Sequence, residues 1–95
     1  MPDRLTDDEL AEALATLPNW SVVDGKLHRD IVLGDFAEAF GLMAQVAVWA
    51  ERLNHHPEWS NVYNRVTIDL MTHDAGGLTE LDVSLATRVD RALGE

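Results

Sequence analysis

Glu51–Asp82 reads ERLNHHPEWSNVYNRVTIDLMTHDAGGLTELD and holds three of the chain's four histidines and its only tyrosine. Two runs within it alternate apolar and polar residues, Trp59–Tyr63 and Val66–Thr72, on either side of Asn64-Arg65. Alternation with a period of two marks half-buried strands, and asparagine tolerates the positive φ of a tight turn, so the stretch predicts a β-hairpin. A two-residue turn at Asn64-Arg65 pairs Tyr63 with Val66, Asn61 with Ile68 and Trp59 with Leu70 on a mostly apolar face. Val62 with Thr67, Ser60 with Asp69 and Glu58 with Met71 take the other face. Continued past Pro57, this ladder brings His56 opposite His73, with Cβ atoms roughly 5 Å apart. A slip of one residue would send every side chain to the wrong face.

Upstream, Asp35 is a helix N-cap with Glu38 completing a capping box, and the helix runs from Phe36 to about Leu53. Phe36, Phe40, Met43, Ala47 and Ala50 form one apolar row; Ala39, Leu42, Val46, Trp49 and Leu53 form another. So wide an apolar surface needs cover from the first or last helix or from another subunit, and the sequence leaves both open. Before it, Asp24-Gly25 separates Trp20–Val23 from Lys26–Leu33, a strong hairpin signal that pairs Val22 with Leu27 and Ser21 with His28. Trp20, Val22, Leu27, Ile31 and Leu33 then share the core face with Arg29 as the misfit, and His28 reads as a solvated strand residue. A first helix runs from about Thr6 to Thr16, opened by the capping box Thr6–Glu9 and ended by Pro18. Downstream, Asp74–Gly77 is a loop, Thr79 caps the last helix with Asp82 at N3, and Leu81, Leu85, Val89 and Leu93 carry its buried face. The order is an N-terminal helix followed by ββαββα. It predicts a two-layer α+β sandwich, an antiparallel sheet with helices on one face.

Ninety-five residues make a single domain, 1–95, with one modest core. Without cysteine there is no disulfide, thiolate metal site or cysteine nucleophile. The formal charge of −10, with seven scattered basic residues, argues against a nucleic-acid partner. No apolar run suits a membrane span. The acidic MPDRLTDDELAEAL does not read as a signal peptide, so a cytoplasmic protein is expected.

Histidine titrates near neutral pH and moves protons without help from a metal. His55 and His56 are adjacent and point opposite ways in extended chain, which disfavours a three-histidine zinc site; no metal is expected. Two or three imidazoles around a pocket, with Trp59 beside them, suit acid–base work on a flat polar ring. Asp82 is fully accounted for as a capping residue. No G-x-S-x-G elbow, phosphate-binding glycine loop or H-E-x-x-H is present.

Glu51-x-x-x-His55-His56-Pro57, then Tyr63, His73 and Asp82, resembles the signature of the pterin-4a-carbinolamine dehydratases. Pro57-Glu58-Trp59-x-Asn61-Val62-Tyr63-Asn64 and Thr72-His73-x-x-Gly76-Gly77-Leu78-Thr79 extend the likeness. The resemblance implies a four-stranded antiparallel sheet and dehydration of 4a-hydroxytetrahydropterin to quinonoid dihydropterin, which recycles the cofactor of aromatic amino-acid hydroxylases. It implies no cofactor. By position His55, His56 and His73 are the catalytic histidines, with His55 and His73 as the main acid–base pair and His56 orienting substrate. The backbone of Pro57 and of Thr72, His73, Asp74 and Ala75 is implied to line the pterin site, with Glu51 and Trp59 close by and Asp82 completing the substrate-binding set. Many relatives carry arginine where Leu81 stands. Family members form homodimers or homotetramers. The rival reading is a non-catalytic binding or assembly module on the same fold; such variants would be expected to lose the histidines that this chain keeps.

Overall fold

The computed structural model describes residues 2–95. Its elements are α1 (Asp7–Ala15), β1 (Ser21–Val23), β2 (Lys26–Val32), α2 (Phe36–Leu53), β3 (Glu58–Val62), β4 (Arg65–Leu70), a 3₁₀ turn (His73–Ala75) and α3 (Glu80–Ala92). The four strands form one antiparallel sheet in the order β1-β2-β4-β3. One face is buried: Leu27, Ile31, Val66, Ile68 and Leu70 meet Ala39, Leu42, Val46 and Ala50 of α2 and Leu85, Ala86 and Val89 of α3. Burying a single leucine or valine of this kind contributes roughly 1.5–3 kcal/mol. The other face is polar and open, as the alternating burial of β2 and β4 requires.

Local chemistry sets the element ends. Thr6 with Glu9 and Thr79 with Asp82 both form complete capping boxes. Asp35 accepts from the Glu38 N–H, but the Glu38 carboxylate turns to the Gly34 N–H instead of the expected Asp35 amide. The Asp24-Gly25 turn has φ of 52° and 77°, and Val22 pairs with Leu27 and Ser21 with His28 as predicted. Val22 still stays largely exposed, because β1 is a three-residue edge strand. α2 ends at Asn54 in the left-handed region, φ 49°, with its N–H and that of His55 returning to Ala50 O. The buried face of α3 is Asp82, Leu85, Ala86, Val89 and Asp90, so Leu81 and Leu93 lie at its margins.

The second hairpin corrects the expected register. Val62 pairs with Arg65, Asn61 with Val66 and Trp59 with Ile68, so the turn is Tyr63-Asn64, one step earlier than predicted. The positive φ falls on Tyr63, at 51°. Asn61 holds that turn by donating to the carbonyls of Tyr63 and Arg65, and Asn64 donates to Leu33 O. Side-chain hydrogen bonds thus override the residue preference of the turn. Partners move by two positions, so each side chain keeps its face. The predicted meeting of His56 and His73 does not occur: the same ladder continued puts Met71 opposite His56.

Arg29, the misfit of the core face, is buried and paired. It donates to Asp90 at 2.5 Å and through two nitrogens to Glu95 at 2.9 and 2.7 Å, and Trp20 Nε1 donates to the same Asp90 at 2.8 Å. His28 is not simply solvated either: Nδ1 meets Asp69 at 2.8 Å and Nε2 meets Asp30 at 3.0 Å.

Candidate active site

The C-terminal end of α2, the N-terminal end of α3 and the segment leaving β4 converge on a cavity of about 420 Å³. His55, His56, Thr72, His73 and Asp74 line it, with Pro2, Leu53, Met71 and Leu81 as its apolar walls. That volume lies within the range of small-molecule sites. The left-handed Asn54 turns the chain sharply after α2, and the two following histidines diverge, as their adjacency predicts. His55 is buried; His56 is exposed.

Each of the three pocket histidines has a carboxylate at Nε2. His55 meets Asp82 Oδ1 at 2.5 Å, His56 meets Glu51 Oε1 at 2.6 Å and His73 meets Glu58 Oε1 at 2.8 Å. No protein hydrogen bond occupies Nδ1 of these three among the described residues. The hydrogen bond at one ring nitrogen sets the tautomer, so a carboxylate accepting from Nε2–H leaves Nδ1 as a proton acceptor. His28, outside the pocket, is the internal contrast. Both its nitrogens face carboxylates, which pushes its pKa up, first through Asp30 and then through Asp69. A histidine clamped on both sides has both nitrogens engaged, whereas one with a free nitrogen can shuttle a proton.

Asp82 is fully buried, and its two oxygens do separate things. Oδ2 accepts from the Thr79 N–H and the Thr72 hydroxyl, both at 2.9 Å, while Oδ1 faces His55. Thr72 and Thr79 hydroxyls meet at 2.8 Å, and Thr79 Oγ1 accepts from the Leu81 N–H. Every donor in this cluster therefore has an acceptor, and no buried side-chain polar atom among the described residues is unsatisfied. The capping box seen in the sequence is real, and it also serves the histidine.

Of the residues expected from the sequence, Thr72, Asp74 and the three histidines line the cavity, while Glu51 and Asp82 reach it through histidines. Pro57, Trp59 and Ala75 are not among its walls; Trp59 is on the inner face of β3, half-buried against the core. Glu58 was missed. Lys26 holds it at 2.9 Å and, with His73, keeps its carboxyl below the usual range. The expected register set Glu58 opposite Met71, and no local pattern links it to Lys26 or His73. Among the described residues no three histidine or acidic side chains form a group able to hold a metal ion. Among the described residues no helix is long and apolar enough to cross a membrane.

The molecule is thus an α+β sandwich with three carboxylate-backed histidines around a small cavity. The chain belongs to the family described as Pterin 4 alpha carbinolamine dehydratase, whose profile matches residues 3–92. A protein of Solibacter usitatus is 53% identical over 90 residues, covering 95% of either chain, and one of Burkholderia lata is 52% identical over 94 residues, covering 97% of this chain and 92% of its own. The names of both carry the words pterin-4-alpha-carbinolamine dehydratase. A crystal structure from Brucella melitensis, titled a transcriptional coactivator/pterin dehydratase, superposes with a TM-score of 0.90 at 48% identity, covering 95% of this chain and 98% of that one.

Proposed function

We propose that this protein dehydrates 4a-hydroxytetrahydropterin to quinonoid dihydropterin by histidine acid–base catalysis. The observation that carries this reading is the ring of three imidazoles, each with a carboxylate at Nε2, around a cavity of about 420 Å³. The reaction breaks the C4a–O bond and removes the N5 proton, forming C4a=N5 and releasing water. A protonated imidazole supplies the proton that turns the departing hydroxyl into water, and a neutral one accepts the proton from N5. One proton leaves the enzyme and one arrives, so solvent exchange between the two groups resets it. Positioned acid–base groups contribute roughly 10²–10⁴-fold each.

His55 and His73 serve as the acid–base pair, and His56, held by Glu51, orients the ring. The backbone from Thr72 to Asp74, which lines the cavity, holds the pterin edge, and Asp82 acts through His55. Trp59 supports the site from the core side. The product would return to an aromatic amino-acid hydroxylase in the cytoplasm, with no cofactor. Ala39, Leu42, Val46 and Ala50 of α2 are buried in the core shared with the sheet and α3, but Phe36, Phe40 and Val48 remain 51%, 60% and 53% exposed. That apolar stripe supports a homodimer or homotetramer. It equally suits a second reading, a binding or assembly module, and the words transcriptional coactivator in the Brucella title speak for that use in the relative.

The test is the decay of 4a-hydroxytetrahydropterin generated in place by a hydroxylase. Wild-type protein should accelerate it, and His55→Ala and His73→Ala should each remove most of the acceleration. Well-folded wild-type protein without effect on the decay would leave the binding module as the better account.

A further inference from the structure

The Lys26–Glu58–His73 chain on the open side of the sheet stands apart from the two other histidine pairs. Asp82 and Glu51 each hold a histidine near them in the fold, on α3 and α2. Glu58 holds two groups at once: its Oε1 meets His73 Nε2 at 2.8 Å and its Oε2 meets Lys26 Nζ at 2.9 Å. The three residues come from the 3₁₀ turn, the first position of β3 and the first position of β2. Lys26 reaches Glu58 across β4, which separates their strands in the sheet.

Stability does not explain this arrangement. The side chains of Lys26, Glu58 and His73 are 29%, 47% and 67% exposed, and ion pairs so open to water contribute little. What the pairing does fix is geometry and proton placement. With the Lys26 ammonium donating to one oxygen, Glu58 is arranged as an acceptor at the other, and only an Nε2–H can satisfy it. Nδ1 is then the nitrogen of His73 without a proton.

We infer that Glu58 and Lys26 are positioning residues for His73: they hold its imidazole as the Nε2–H tautomer and so make Nδ1 the base that takes the proton from the substrate. When Nδ1 gains that proton, the imidazolium faces a carboxylate already in place, so the new charge is balanced without rearrangement. This assigns the base half of the proposed acid–base pair to His73 and leaves the acid half to His55. The inference rests on the dehydratase reading for its chemistry but not for its geometry.

Two measurements test it, one of which needs no substrate. Ring ¹⁵N spectra of the intact protein above the histidine titration should show His73 as the Nε2–H tautomer, Glu58→Gln should mix the two tautomers, and Lys26→Met should shift the population part of the way. A wild-type His73 found mainly as the Nδ1–H tautomer, or unchanged in Glu58→Gln, would overturn the assignment even if the enzyme is active. In the dehydration assay, Glu58→Gln should lower kcat/KM about tenfold in the wild-type background and have almost no effect in His73→Ala, because residues that act as a unit are not additive. Equal losses in both backgrounds would mean that Glu58 acts elsewhere. Should the wild type lack dehydratase activity, the functional proposal fails while the tautomer result still decides this one.

Discussion

Asp82 in the first turn of α3 and Asp90 near its last are both buried and lie on one face of the helix, roughly 12 Å apart along its axis. Each meets a nitrogen group brought from a distant element, and there the likeness ends. Asp90 is enclosed with Arg29 and Trp20, and Glu95 adds a second carboxylate to the same guanidinium. Arginine does not release its proton, so this end of α3 can only be structure. Asp82 faces His55, whose other nitrogen carries no protein partner and which lines the cavity. A buried acid can serve proton transfer when its partner is an imidazole that keeps one nitrogen free. With a permanent cation it becomes a clamp.

The comparison can be broken in three places. The largest effect belongs to the His55 end: His55→Ala is expected to cut kcat/KM by at least about 10²-fold, read in a coupled hydroxylase assay. Arg29→Ala should leave the rate per folded molecule unchanged. Next is the clamp. Asp90→Ala leaves a buried guanidinium with one partner fewer and should cost about 3 kcal/mol in urea unfolding, with little change in kcat/KM. Asp82→Ala should lose on both counts, because it removes the capping-box acceptor of the Thr79 N–H at the start of α3 as well as the histidine's partner. If Asp90→Ala lowers activity as much as Asp82→Ala does, the two ends are not separate devices.

The smallest effect lies on the open sheet face. Asp30 first, then Asp69, holds the pKa of His28 above its ordinary value, so the folded state binds this proton more tightly than the unfolded chain. That stabilisation is fully present below about pH 6.5 and is lost as pH rises through the raised value. Urea unfolding of His28→Gln against wild type should show its largest gap below about pH 6.5 and a closing gap as pH rises through the raised value. A constant gap would mean that the doubly clamped imidazole is held by packing and not by its charge.

Much of the frame was legible because its signals are short-range. Both complete capping boxes, the Asp24-Gly25 hairpin and the span of α2 follow from neighbours a few residues apart. The hairpin at Tyr63-Asn64 was misread because its turn is fixed by the side chains of Asn61 and Asn64, one of which reaches Leu33 on the neighbouring segment. The error was an even number of residues, so the faces survived while the neighbours did not. Hence His56 and His73 were expected to oppose each other, and the Glu58 contact with His73 stayed hidden. Arg29 read as a misfit for a related reason: Asp90 is 61 residues away, and no periodicity announces such a partner.

The two oxygens of Asp82 have a consequence for how such a protein can change over generations. Oδ2 holds the start of α3 and Oδ1 holds His55, the histidine proposed as catalytic, so selection for a folded chain alone protects this residue even after selection for turnover has lapsed. His55 and His73 have no such second duty. A lineage that gave up the reaction and kept the scaffold for binding would therefore shed its histidines first and carry the aspartate forward as an inherited trace of the older chemistry.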